Sequence, residues 1–135
     1  MIALDTNILA RLLLADDAAQ CARAQALLAR SDVYTAPITV MIELVWVLES
    51  NDRNRDEIGR ALGLLLSLAN FRSAHADEVR AALQWYGEGM DFSDALHLAL
   101  HSSAIAASLS LVTFDKKFVK VAKRLKTPVA VSEID

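Results

Sequence analysis

The spacing of apolar and polar positions changes repeatedly along the chain, and each change marks an element. Ile2 to Leu4 is a short apolar run that ends at Asp5, and Thr6-Asn7 offers capping side chains ahead of the apolar stretch Ile8 to Leu14. This predicts a strand followed by a helix. Asp17 with Gln20 three residues later resembles a capping box, and Cys21, Ala24, Leu27 and Leu28 recur behind it at helical spacing, so a second helix is predicted from about 17 to 30. Val33 to Thr35 reads as a strand, and Pro37 opens the apolar segment Ile38 to Glu49, long enough for a three-turn helix. Helical patterns continue through Arg55 to Ala69 and Ala76 to Tyr86, with a connector around Phe71 to His75 and a break at Gly87 and Gly89. Ser93 to Ser108 predicts another helix, and Ser110 to Thr113 a short strand ending near Asp115. Phe118, Ala122 and Leu125 share one face of a final helix, and Val129 to Val131 is the last predicted strand.

Strands alternating with helices imply an α/β sandwich around a short, mainly parallel sheet, with ligands expected beyond the carboxyl ends of the strands. At 135 residues, and with no linker or repeat, one domain over 1–135 is expected. The apolar share of 54% against 23% charged residues excludes a disordered chain, and four Gly and two Pro argue for helices over a pure sandwich or barrel. Cys21 is the only cysteine, which removes intrachain disulfides and cysteine-based zinc sites. The N-terminal residues do not resemble a signal peptide, no membrane span is expected, and a reducing, cytoplasmic setting suits the chain.

Several acids stand in unusual places. Between Ile38 and Leu48 the only polar residues are Thr39 and Glu43. A helix apolar nearly all round is normally buried, so Glu43 either is neutralised, faces a cleft or binds a cation there, or else marks a solvent-facing edge. Asp5 and Asp115 fall at predicted strand ends, where they are candidate ligands or caps of the helices that follow. Asp91 and Asp94 flank the start of the helix from Ser93, where the helix dipole favours negative charge and one of them is expected to cap. Four carboxylates about 4 Å apart would repel by roughly 4 kcal/mol per pair at an effective dielectric of 20. Such a cluster needs protonation or a divalent cation, and Mg²⁺ or Mn²⁺ suits an all-oxygen donor set.

His97 and His101 share a helix face with Asp94, but His101 lies about 10 Å along the axis from it, too far for one ion. His97 is either a neighbour of the ligands or a packed or surface histidine. Ser93 and Thr113 either bind ligand waters or cap and pack. No Gly-rich phosphate loop and no nucleophile elbow occur.

The net charge of −3 disfavours bulk electrostatic binding of nucleic acid, yet all five lysines lie between residues 116 and 126. Lys116, Lys120 and Lys123 recur on the face away from Phe118, Ala122 and Leu125, and Lys116-Lys117 directly follow a candidate ligand. This face is either a phosphate track or the solvated side of an amphipathic helix.

Leu4-Asp5-Thr6-Asn7-Ile8-Leu9, Glu43-Leu44, Asp91-Phe92-Ser93-Asp94-Ala95-Leu96-His97-Leu98-Ala99 and Thr113-Phe114-Asp115-Lys116-Lys117-Phe118 occur in this order over nearly the whole chain. Together they resemble the PIN-domain ribonucleases of the VapC toxin type. The resemblance implies a PIN-like three-layer α/β/α sandwich and a Mg²⁺-dependent endoribonuclease, with Mn²⁺ as a substitute, paired with a VapB-type antitoxin and forming a homodimer. It assigns catalysis and metal binding to Asp5, Glu43, Asp94 and Asp115, with Thr6, Asn7, Ser93 and Thr113 as auxiliary polar residues. Asp91 is an additional acid of a subset. RNA is the implied substrate, with Lys116, Lys117, Lys120 and Lys123 as candidate contacts. Leu13, Leu14, Trp46, Trp85 and Tyr86 are either partner-facing or core. Two other classes of function compete: a receiver-like phosphoacceptor domain, whose acid pair should directly follow the first strand, and a non-catalytic interaction module.

Overall fold

The computed structural model describes residues 1–103 and 110–134. Among them the order is β1 (Ile2–Ala3), α1 (Thr6–Leu14), α2 (Ala18–Leu28), β2 (Tyr34–Thr35), α3 (Ile38–Ser50), α4 (Arg55–Ser67), β3 (Phe71–Arg72), α5 (Ala76–Gly87), α6 (Phe92–Ser103), β4 (Leu111–Thr113), α7 (Lys116–Leu125) and β5 (Val131–Glu133). The chain divides into two compact units, Met1–Ala76 and Asp77–Asp135.

In the first unit β1, β2 and β3 form a parallel sheet in sequence order, with Ile2 opposite Tyr34 and Tyr34 opposite Phe71. Each step between neighbouring strands is made by two helices, which lets short strands return in the same direction. Leu9, Met41, Leu44, Leu48, Ile58 and Leu62 are fully buried. The carbonyls that α2 leaves unpaired at its end are taken up by the sheet side. Tyr34 donates its hydroxyl to the Leu27 carbonyl, and Asn70 Nδ2 donates to the Leu28 carbonyl at 2.8 Å. Asp17 caps α2 by accepting from Gln20 N at 3.0 Å, and Asn54 with Glu57 forms a full capping box on α4.

The second unit pairs β4 with β5 in parallel, Leu111 opposite Val131, with α7 as the crossover. Tyr86 meets Phe92 edge to face at 5.9 Å between ring centres, which ties the end of α5 to the start of α6.

Two expectations change. The segment around Phe71 is not a plain connector: Phe71–Arg72 is a third parallel strand. Its two residues show too little alternation to be read locally, and Phe71 is buried because the sheet edge at β2 accepts it. The last strand begins at Val131 rather than Val129. All seven expected helices are present among the described residues, and the 104–108 part of the helix expected over Ser93–Ser108 lies outside them.

Candidate functional site

In the first unit the acids sit just beyond β1 and on the middle of α3. Asp5 is the N-cap of α1, its side chain accepting from Thr6 N at 2.8 Å, and its carboxylate is exposed. Thr6 is buried, and its hydroxyl donates to Glu43 Oε2 at 2.5 Å across 37 residues of sequence. Glu43 itself is exposed. It is therefore not a buried lone charge: Thr39, Glu43, Trp46 and Ser50 follow helical spacing along an exposed stripe of α3, with Trp46 69% exposed, and the carboxylate stays open to water or a cation. Asn7 is exposed and lines a cleft of about 610 Å³ between α1 and α2, together with Arg11 and Arg23.

In the second unit Asp91 caps α6. Its carbonyl accepts from Ala95 N at 2.9 Å and its Oδ2 from Asp94 N at 3.2 Å. That leaves the half-buried Asp94 carboxyl, one turn into the helix, without the capping task. Desolvation, then the charges of Asp91 and Asp115, push Asp94 up to about 6, against an opposing pull from His97. Asp115 is the N-cap of α7, accepting from Phe118 N at 3.1 Å, while its own N–H donates to Thr113 Oγ1 at 3.0 Å. Thr113 thus fixes the turn that presents Asp115. Asp5, Asp91 and Asp115 all cap helices, the capping role expected for Asp5, for Asp115 and for one of Asp91 and Asp94.

The donors are all carboxylate oxygens, the chemistry a hard divalent cation takes. Among the described residues, no three His, Cys, Asp or Glu side chains are grouped closely enough to hold an ion as they stand. Asp94 senses Asp91 and Asp115 electrostatically within its own unit.

Beside Asp115, the exposed side of α7 and the α5–α6 turn enclose a cleft of about 640 Å³ lined by Lys116, Lys117, Lys120, Arg124, Glu88 and Gly89. Arg124 Nη2 donates to the Glu88 carbonyl at 2.6 Å. Lys123 is exposed but does not line this cleft, and Arg124 takes its place. Residues 116, 120 and 124 form one i, i+4 row, a signal available in the sequence but passed over when the row is started from lysines alone. Leu14 and Tyr86, candidates for a partner-facing surface, are buried in the core, whereas Trp46 is exposed.

Asp5 follows β1 and caps α1, and Asp115 follows β4 and caps α7, so each unit carries an acid at the carboxyl end of a parallel strand, the position at which α/β proteins bind ligands. More narrowly, the PIN domain family matches residues 2–124, and the chain belongs to it. PIN domains are generally metal-dependent nucleases, and the expected PIN-like α/β class is the class of this chain. No curated protein and no solved structure matches it. A receiver domain is left without support by the family match. No described helix is long and apolar enough to cross a membrane.

Proposed function

We propose that the chain is an endoribonuclease that depends on Mg²⁺, or on Mn²⁺ in its place, and acts as the toxin partner of a VapB-type antitoxin, as a homodimer in the cytoplasm. The observation that carries this reading is the position of Asp94: a half-buried carboxyl with two acids raising its proton affinity, in a chain of a nuclease family. An oxygen-only donor set with excess negative charge is one that a divalent cation relieves.

Asp5, Glu43, Asp94 and Asp115 are the residues proposed to hold the ion. When bound, a divalent cation activates water towards a phosphodiester and offsets charge on the leaving oxygen. The chain's own groups prepare that chemistry. Thr6 orients Glu43 by donating to Oε2, which leaves Oε1 available. Asp91 holds the first turn of α6 so that Asp94 projects from a fixed helix end, with Ser93 beside it. Thr113 locks the backbone of Asp115. Lys116, Lys117, Lys120 and Lys123 are exposed on α7 and supply positive charge for the RNA backbone.

The test is cleavage-site mapping on total RNA incubated with the protein in Mg²⁺ and in EDTA, using wild type, Asp5→Asn and Asp94→Asn. Cleavage is expected only for wild type with Mg²⁺, and growth arrest on expression should disappear with either substitution while the circular dichroism spectrum is retained. Cleavage by Asp94→Asn at the wild-type rate would sink the reading.

A further inference from the structure

Phe114 is 82% exposed, although it sits between two residues whose backbones are held firmly. On one side Thr113 ends a paired strand, and on the other Asp115 caps α7 and donates to the Thr113 hydroxyl. An aromatic ring held out in solvent on a rigid turn forgoes the burial that such side chains ordinarily gain. The cleft lined by α7, whose first residue is two positions on, is as unusual in charge. Lys117, Lys120 and Arg124 have no ion pair among the described residues, and Lys116 has only a long one, 3.9 Å from Glu133. Arg124 is ordered without being neutralised, because its partner is the Glu88 backbone carbonyl. Gly89, at φ 111°, leaves the room it needs: a Cβ there would lie 3.1 Å from Arg124 Nη2.

Lys116, Lys120 and Arg124 follow one another at i, i+4 spacing, so their attachment points advance by about 6 Å per step along α7. That step matches the repeat of an extended polynucleotide backbone. We propose that Phe114 and α7 form a track for single-stranded RNA, in which Phe114 stacks on an unpaired base while Lys116, Lys120 and Arg124 take successive phosphates. The choice of RNA as ligand rests on the ribonuclease reading; the track itself rests on the exposed ring and on a row in which only Lys116 has an ion pair, a long one, among the described residues. Base stacking on aromatic side chains together with cations along the backbone is the way single strands are bound without a fixed sequence. A protein partner covering the same ring and α7 would have to desolvate or neutralise Lys117, Lys120 and Arg124, which have no ion pair among the described residues, whereas RNA offers a base to the ring and phosphates to the row.

The test is fluorescence anisotropy of a labelled twelve-nucleotide single-stranded RNA in EDTA, where cleavage by a metal-dependent enzyme is absent. Phe114→Ala and Phe114→Leu are expected to weaken binding by about 5- to 140-fold, the range that stacking of one base corresponds to. Phe114→Trp should bind like wild type. For wild type, log K against log salt should fall with a slope of about −2 for three phosphate contacts, and Arg124→Gln should flatten it by about 0.7. Thermal melts check that each variant is folded, which the exposure of Phe114 favours. Equal binding by wild type, Phe114→Ala and Phe114→Leu overturns the proposal, as does an unchanged salt slope in Arg124→Gln. Binding of an acidic peptide that outcompetes the RNA on wild type overturns it in favour of a protein partner. Since binding is read without metal, failure of the wild type to cleave RNA in Mg²⁺ would count against the nuclease reading alone.

Discussion

The Thr6 hydroxyl donates to the Glu43 carboxylate at 2.5 Å, joining the first turn of α1 to the exposed stripe of α3. Thr6 is buried and Glu43 is not, so the bond reaches from the core to the surface and restricts a side chain that solvent would otherwise leave free. Thr6→Val keeps the shape and removes the donor. Because Glu43 can recover water, the cost should be about 1 kcal/mol, read as a Tm lower by about 3–5 °C. Thr6→Ser keeps the donor but gives up a buried methyl group, so it should retain the coupling to Glu43 in a double-mutant cycle with Glu43→Ala, whereas Thr6→Val should lose it.

At Asp91 capping and charge can be separated. Asn caps as well as Asp, so Asp91→Asn should leave stability within a few tenths of a kcal/mol of wild type, whereas Asp91→Ala should cost about 1 kcal/mol. Both remove a charge that raises Asp94. A carboxyl titration followed by NMR should therefore show Asp94 moving down from about 6 in both variants, with only the alanine variant losing stability.

The raised Asp94 gives a defined pH dependence. Its folded pKa of about 6 lies above the ordinary aspartate value near 4, so between these the native state keeps a proton that the unfolded chain has released. The contribution is therefore fully present below about pH 4 and is lost as pH rises through about 6. Asp94→Asn removes the ionised form, and it should melt higher than wild type at pH 7.5 but not at pH 4, while losing cleavage. If Asp94 holds a cation as proposed, protons compete for the same oxygen, and Mn²⁺ should raise the wild-type Tm at pH 7.5 and much less at pH 5.

Two glycines should respond with opposite sign. Gly59 lies inside α4, where an added Cβ would meet nothing within 4 Å, and Gly59→Ala should stabilise by about 0.5–1 kcal/mol through helix propensity. Gly89 has φ 111° and a Cβ would press on Arg124. Gly89→Ala should cost about 1–3 kcal/mol, measured from denaturant midpoints at unchanged m-value.

Much of the element order was legible in the amino-acid pattern because it depends on local period and on caps. Asp5, Asp17, Asp91 and Asp115 each precede a helix and each caps it, because an Asp beside a free N–H at a helix start has a bond to make wherever the helix is packed. The family motifs are equally local, which is why four short segments point to the same family as the match over 2–124. Glu43 shows where such reading stops. Composition made its helix look buried all round, but a helix exposes whichever stripe its neighbours leave uncovered, and here that stripe carries Glu43 and Trp46.

By itself the sequence determined the alternation of helices and parallel strands, the caps and the identity of the acids, since these follow from period, side-chain chemistry and short-range hydrogen bonds. Tertiary structure alone decided that Phe71 pairs with Tyr34 as a third strand, that Thr6 holds Glu43, and that Arg124 is held by the Glu88 carbonyl against Gly89. Each of these joins residues far apart in the chain, through contacts that exist only once separate elements are packed together.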